Sequence, residues 1–389
     1  MKNAILSIVA LLAATAAPAQ SISDVLRSVE ENNVELKAAR KGNEAAYLEV
    51  KQENNLEGLS VEYSPFFNGD VGGIASSELV VSQGFDFPTL YGARKKAGRL
   101  QRDVLDMEYQ AARRDVMLQA KNFCLDLVFL EKQKAVLDER RRNSDELLAT
   151  FTEKYTNGEA TLLELNNIKM ERMNLDRELV EAETARTAAL RGLQALNGGK
   201  EITLTETEYP AVPTDGYGAL YERAVAADRS VMTAQAAVRA AEQDVKVNRQ
   251  GWLPKLEVGY RRNTDVDDAS HGFLIGGSIP LFANKNKVKS AKARHAEAQM
   301  KQADARIKAE SSARELIDKM RQLRAAADSY DLPLMHETLR LLRTAVDNGE
   351  MSVIDYYSAA DEVYVNIQSY LDIERQYHGV VADVMKNEL

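Results

Sequence analysis

The sequence predicts a mainly α-helical chain with a small transmembrane β part: long antiparallel, coiled-coil-like helices and four β-strands. Three observations lead there. A set of motifs recurs at a spacing of about 190 residues. Long stretches free of proline carry apolar residues at alternating intervals of three and four. Four short segments alternate apolar and polar side chains around turn-forming residues.

The recurrence sets the organisation. Asn-Gly-Glu occurs at 157–159 (NGEATLLEL) and again 191 positions later at 348–350 (NGEMSVIDY). Pro88 and Pro280, 192 apart, each close an apolar run and precede a basic one: ARKKAGR from Ala93, NKNKVKSAKAR from Asn284. LSVEY at 59–63 is matched by LEVGY at 256–260. The predicted order helix, strand, strand, long helix, Asn-Gly-Glu break, long helix therefore appears twice. A first repeat is expected over 20–198 with a β-hairpin at about 57–87. A linker follows at 199–214, then a second repeat over 215–389 with a hairpin at about 255–282. Residues 1–19 read as a signal peptide, with Lys2, an apolar run from Ala4 to Ala17 and the cleavage site Ala17-Pro18-Ala19.

The helical parts follow from composition and period. No proline lies between Pro88 and Pro210, 28% of residues are charged and only 6% are aromatic, which suits long helices better than compact globules. From Val353 the apolar positions run Val353, Tyr356, Ala360, Val363, Ile367, Tyr370. Leu175, Leu179, Ala182, Ala189, Leu193 and Leu196 keep the same rhythm, with Arg186 the exception. This is the seam of helices packed at a shallow angle. A neighbouring stripe, Tyr357, Tyr364 and Leu371, gives the helix a second neighbour, as in a closed ring. The segment from Gly92 to Tyr155 would extend on the order of 90 Å as a helix. Gly198-Gly199 is a helix stop. Gly158 and Gly349 become hairpin tips, where glycine accepts the positive φ that ends one helix, and Thr161 and Ser352 cap the next.

The strands carry a different periodicity. Leu59, Val61, Tyr63 and Phe67 fall on one face of their segment, as do Leu256, Val258 and Tyr260. Phe273, Ile275, Ile279 and Leu281 do the same, and Leu79, Val81, Phe85 and Phe87 are in phase. Alternating segments of about ten residues joined by polar turns suit transmembrane hairpins; a half-buried soluble hairpin fits the pattern equally. In lipid, four strands cannot stand alone because their edges would be unpaired. Two copies would give a filled eight-stranded barrel, and three a twelve-stranded one with a passage, so a homotrimer is expected.

Other functions find no support in these residues. The net charge of −9 gives no general attraction to nucleic acid. The single cysteine, Cys124, lies in an apolar helical patch and reads as a small buried residue. His271, His295, His336 and His378 have no metal-ligand spacing, and no phosphate loop or nucleophile motif occurs. Neither an enzyme nor a cofactor is expected.

The duplicated architecture, GWLPKLEVGY and GGSIPLF, and the tips YTNGEATLLEL and VDNGEMSVIDY together resemble the TolC-type outer-membrane efflux proteins over essentially the whole mature chain. The resemblance implies a homotrimer whose twelve-stranded barrel in the outer membrane of a Gram-negative bacterium continues into a twelve-helix periplasmic tunnel. It implies a periplasmic adaptor (membrane fusion) protein and an inner-membrane pump of RND or ABC type as partners. The function it implies is passive conduction of small molecules: drugs, metals or other toxic compounds. Gly158 and Gly349 match the family's adaptor-docking tips, with Thr161, Leu162, Ser352 and Val353 beside them. Asp355 and Glu164 match acidic positions of a tunnel gate. Met351, Ser358 and Val346 depart from the pattern, so the closing network is expected to be built differently. The basic runs after Pro88 and Pro280 would then lie at the barrel-to-helix junction and reach lipid headgroups. A conduit for type I protein secretion, or a periplasmic coiled-coil interaction protein without a channel, are the alternatives.

Overall fold

The structure, a computed structural model, describes residues 21–69, 72–265, 267–280, 282 and 284–389. The expected signal peptide and Leu281 lie outside them. The chain runs α1 (Ile22–Asn32), α2 (Val34–Gln52), β1 (Ser60–Asn68), β2 (Gly73–Phe85), α3 (Pro88–Thr156) and α4 (Leu162–Leu196). It continues α5 (Tyr217–Ala226), α6 (Arg229–Gln250), β3 (Lys255–Asp265), β4 (Ala269–Ser278), α7 (Lys287–Ala327), α8 (Leu332–Asp347) and α9 (Val353–Val384). Two short helices, a hairpin, a descent to a tip and a return helix thus occur twice.

The two descents differ. α3 is one helix of 69 residues, about 100 Å long at 1.5 Å per residue. Pro88 opens it at the first helical turn, where a missing N–H costs nothing. The second descent, read from sequence as one long helix, is two. Pro333 is tolerated only in a first turn, so α7 ends at Ala327 and α8 restarts, with Asp331 Oδ1 accepting the Leu334 N–H at 3.0 Å.

The four strands form one antiparallel sheet in the order β1-β2-β3-β4. The central pairing, β2 with β3, joins the two repeats and aligns their faces. Val61, Val81, Tyr260 and Phe273 form one cross-strand row, and Tyr63 and Leu79 begin the next, which ends in Arg262 and His271. The opposite face is polar, with rows such as Ser64, Glu78, Asn263, Ser270, and an Arg261–Glu78 ion pair at 2.8 Å. The apolar face is uncovered: Phe273 is 91% and Ile275 87% exposed. One face for lipid and one for water is the division a membrane barrel wall needs. Among the described residues no helix is long and apolar enough to cross a membrane.

Below the sheet the helices line up side by side in the order α2-α3-α6-α7, and nearer the tips α4-α3-α9-α8. Their contacts are knob-like. Leu175, Ala182, Ala189 and Leu193 of α4 are buried, as are Val353, Tyr356, Ala360, Tyr364, Ile367 and Leu371 of α9. The stripes at sequence spacings of three and four are thus the packed ones. Residues 199–214 cross the bundle as a strap. Tyr209 of the strap stacks on His378 of α9 with ring centres 4.2 Å apart. The Lys132 ammonium of α3 sits 4.9 Å from the centre of the same ring, held by Glu208 at 3.0 Å and Glu374 at 3.2 Å. Burial, and then the nearby positive Lys132, push the His378 pKa down to about 4.

Candidate functional site: the paired tips

Both tips are built alike, and far from the sheet. At the end of α3 the Glu159 N–H reaches back to the Lys154 carbonyl at 2.8 Å and Gly158 N–H to Tyr155 at 3.1 Å. At the end of α8 the Glu350 N–H reaches the Ala345 carbonyl at 2.8 Å and Gly349 N–H to Val346 at 3.0 Å. This double closure needs a left-handed residue, and Gly158 and Gly349 supply it at φ 77° and 74°. The glutamate after each glycine contributes its backbone N–H to the turn. Its side chain is exposed and makes no hydrogen bond or ion pair among the described residues.

The next helix is capped in both hairpins. Thr161 Oγ1 accepts the Glu164 N–H at 3.2 Å, and Glu164 Oε2 accepts the Thr161 N–H at 2.7 Å, a reciprocal box. Ser352 Oγ accepts the Asp355 N–H at 3.1 Å and donates to Asp355 Oδ2 at 2.7 Å. Glu164 and Asp355, the two gate candidates, therefore each hold the start of their own helix, and no contact joins them within one chain. Leu162 and its neighbour Leu163 are exposed, whereas Val353 is fully buried and supports the second tip from inside. Leu163 was not singled out by sequence because only Leu165 continues the buried stripe of α4.

The helices behind the tips are tied by two arginines that sequence reasoning missed. Arg140 of α3 bonds Glu171 of α4 at 2.7 Å and Asp361 of α9 at 2.9 Å, with its guanidinium 4.4 Å from the Tyr364 ring centre. Burial raises the Glu171 pKa, opposed by Arg140 and assisted by Asp361. Arg343 of α8 pairs with Asp347 at 3.1 Å and Glu146 of α3 at 3.4 Å. It supplies a cross-helix link where Met351 has none. Met351 packs against the apolar core, Val346 lies within it, and Ser358 is exposed.

These ties also fix a stagger. Arg140, 18 residues before Gly158, meets Asp361, 12 after Gly349. Ser144, 14 before Gly158, meets Tyr357, 8 after Gly349, and Glu146, 12 before, meets Arg343, 6 before its own tip. Long side chains scatter about this offset: Lys132 slants to Glu374, Arg140 to the Tyr364 ring, and Arg343 also reaches the Asn143 carbonyl at 3.1 Å. The first hairpin thus reaches about six residues, or about 9 Å, beyond the second.

With this geometry in view, the family of outer membrane efflux proteins has a sequence model that matches residues 220–386, nearly all of the second repeat. The chain superposes along 94% of its length on the Campylobacter jejuni outer membrane channel CmeC, with a TM-score of 0.74, 18% identity and 85% of CmeC covered. The outer membrane protein VceC of Vibrio cholerae gives 0.73 at 15% identity, with 94% of this chain and 95% of VceC covered. The Neisseria gonorrhoeae MtrE outer membrane channel, in its open state, gives 0.68 at 15%, with 94% and 88% covered. No curated protein matches by sequence. Residues 220–386 thus match the outer membrane efflux protein family, and the whole chain shares the fold of these outer membrane channels. An outer-membrane location extending into the periplasm accords with this match.

Proposed function

We propose that three copies of the chain form the exit duct of a tripartite efflux system. The duct passively conducts small molecules received through a periplasmic adaptor from an inner-membrane pump. The observation that carries this reading is the pair of near-identical exposed tips at the opposite end from a sheet with one apolar face. A duct must meet lipid at one end and a partner at the other. The apolar sheet answers the first need. The bare glycines, exposed Glu159 and Glu350, and Leu162 and Leu163 answer the second.

Replacing Gly158 and Gly349 tests the docking role. A β-carbon at either position meets no atom within 4 Å, so the surroundings do not resist a side chain. Asparagine tolerates the left-handed conformation and so adds bulk with little strain. Gly158→Asn combined with Gly349→Asn is expected to abolish efflux, read as drug susceptibility, while trimers persist in the outer membrane. Full efflux in that variant would end the docking assignment. Asp355 and Glu164 are proposed to line a closing ring once the copies assemble, because carboxylates gathered on a ring attract cations. Asp355→Ala is then expected to raise single-channel conductance and weaken divalent-ion block; an unchanged channel would remove the gate role.

A further inference from the structure

The helices and strands are arranged so that one lateral edge of the chain consists wholly of the first repeat and the other wholly of the second. At the sheet the edges are β1 and β4, below it α2 and α7, and near the tips α4 and α8. Two of these edges carry exposed apolar seams. On α4 the exposed residues Leu163, Met170, Met173, Arg177 and Val180 lie at intervals of 7, 3, 4 and 3, a coiled-coil stripe turned away from α3. On α8 the exposed stripe is Leu334, Glu337 and Leu341. α7 continues it upward with exposed Ala293, Ala296, Met300, Ala303 and Ile307.

We propose that α4 of one copy packs antiparallel against α8 of the next in a single register. This rests on the trimeric duct reading and specifies how its wall closes. A rotation about the duct axis preserves height, so the stagger between the two tips within a chain also separates the α4 tip from the α8 tip of the neighbouring copy. Met173, Arg177 and Val180 lie 15, 19 and 22 residues past Gly158; Leu341, Glu337 and Leu334 lie 8, 12 and 15 before Gly349. Both series step by four and three and differ by seven throughout, within one residue of the stagger of six. The layers become Met173–Leu341, Arg177–Glu337 and Val180–Leu334: apolar on apolar, with one opposite-charge pair between. Without the stagger the stripes would also be in phase, but Met170 would face Glu337 and Asn166 would face Leu341, which complements neither. Arg177 now bonds Glu181 and Glu337 bonds Arg340, each on its own helix at the surface, so both are free to exchange partners. The contact joins unlike edges, which closes into a ring rather than a two-fold dimer. The same head-to-tail rule brings β4 of one copy to β1 of the next, which removes the unpaired strand edges.

Paired cysteines test the register in the full-length protein, in a Cys124→Ser background. Met173→Cys with Leu341→Cys, and Val180→Cys with Leu334→Cys, are expected to give covalently linked trimers under mild oxidation. Met173→Cys with Leu334→Cys, the unstaggered pair, is expected to give none. Arg177→Glu is expected to lower the temperature at which trimers dissociate in detergent, and adding Glu337→Arg to restore it. Trimers that link only through the unstaggered pair, or through neither, would overturn the seam and leave the duct standing. Cross-linking to a different polypeptide would overturn it in favour of an adaptor on this face. A membrane-inserted monomer would overturn duct and seam together.

Discussion

The two descents to the tips make the same turn at the end of different supports. α3 reaches Gly158 as an unbroken helix packed on α4 along its lower length. The descent to Gly349 is jointed between Ala327 and Leu332 and finishes on α8, a helix of only 16 residues that packs mainly on α9. Identical local chemistry therefore sits on a rod in one repeat and on a jointed arm in the other. What keeps the arm in place is cross-linking to the rod by Arg140 and Arg343 near the tip and by Lys132 on Glu374 higher up, where Tyr209 stacks on His378 and Tyr330 braces the joint against Tyr370 of α9. The first tip is held by its own length and the second by its neighbours.

Breaking the tip ties should separate the two most. Arg343→Ala cuts α8 from Glu146 and the Asn143 carbonyl of α3, with the arginine side chain only 20% exposed, and losing such charge-assisted bonds costs about 2 kcal/mol. Hydrogen exchange is expected to rise along α8 and the start of α9 more than along α3. Equal acceleration in both hairpins would mean the arm is not the dependent one. The belt gives the next effect, and its sign follows from His378. Its folded pKa of about 4 lies below the ordinary value of 6.5, so between those values the unfolded chain takes up a proton that the folded chain does not. The stabilisation is whole above about pH 6.5 and falls as pH drops toward 4. The loss is about 1–2 kcal/mol once the partial solvation of the ring is allowed for. His378→Phe is expected to flatten the dependence of the urea midpoint on pH in this window; a wild-type profile in that variant would assign the acid sensitivity elsewhere. Asp331→Ala should act least, removing one cap at a cost of about 1 kcal/mol. Faster exchange confined to the first turn of α8 is the expected result, and a change at the first tip would contradict the division between rod and arm.

Much of this was legible in sequence because it depends on local rules. Positive φ at Gly158 and Gly349, the caps at Thr161 and Ser352, and the two-residue alternation of the strands are each set by a few adjacent residues. The buried stripe of α9 was legible from its spacing. What escaped is what three-dimensional packing selects. Arg140 sits in the run Glu139-Arg140-Arg141-Arg142-Asn143, where nothing marks one arginine as the one that turns inward. Pro333 was visible, yet the repeat suggested one helix, and only the cap at Asp331 shows the restart. The stagger of the tips has no sequence signature, since each hairpin obeys its own period whatever its neighbour does. Tyr209 and His378, 169 residues apart, meet only because the strap crosses α9.

The uncovered side of the sheet has a consequence for how the protein is made. Before insertion, a newly exported copy presents Val61, Tyr63, Phe273 and Ile275 to water beside two unsatisfied strand margins, a combination that favours clumping with any similar chain. Biogenesis therefore calls for an escort that shields this sheet until delivery, or for insertion fast enough to outrun self-association. The helical portion, whose apolar seams are largely packed within the single chain, carries no such urgency.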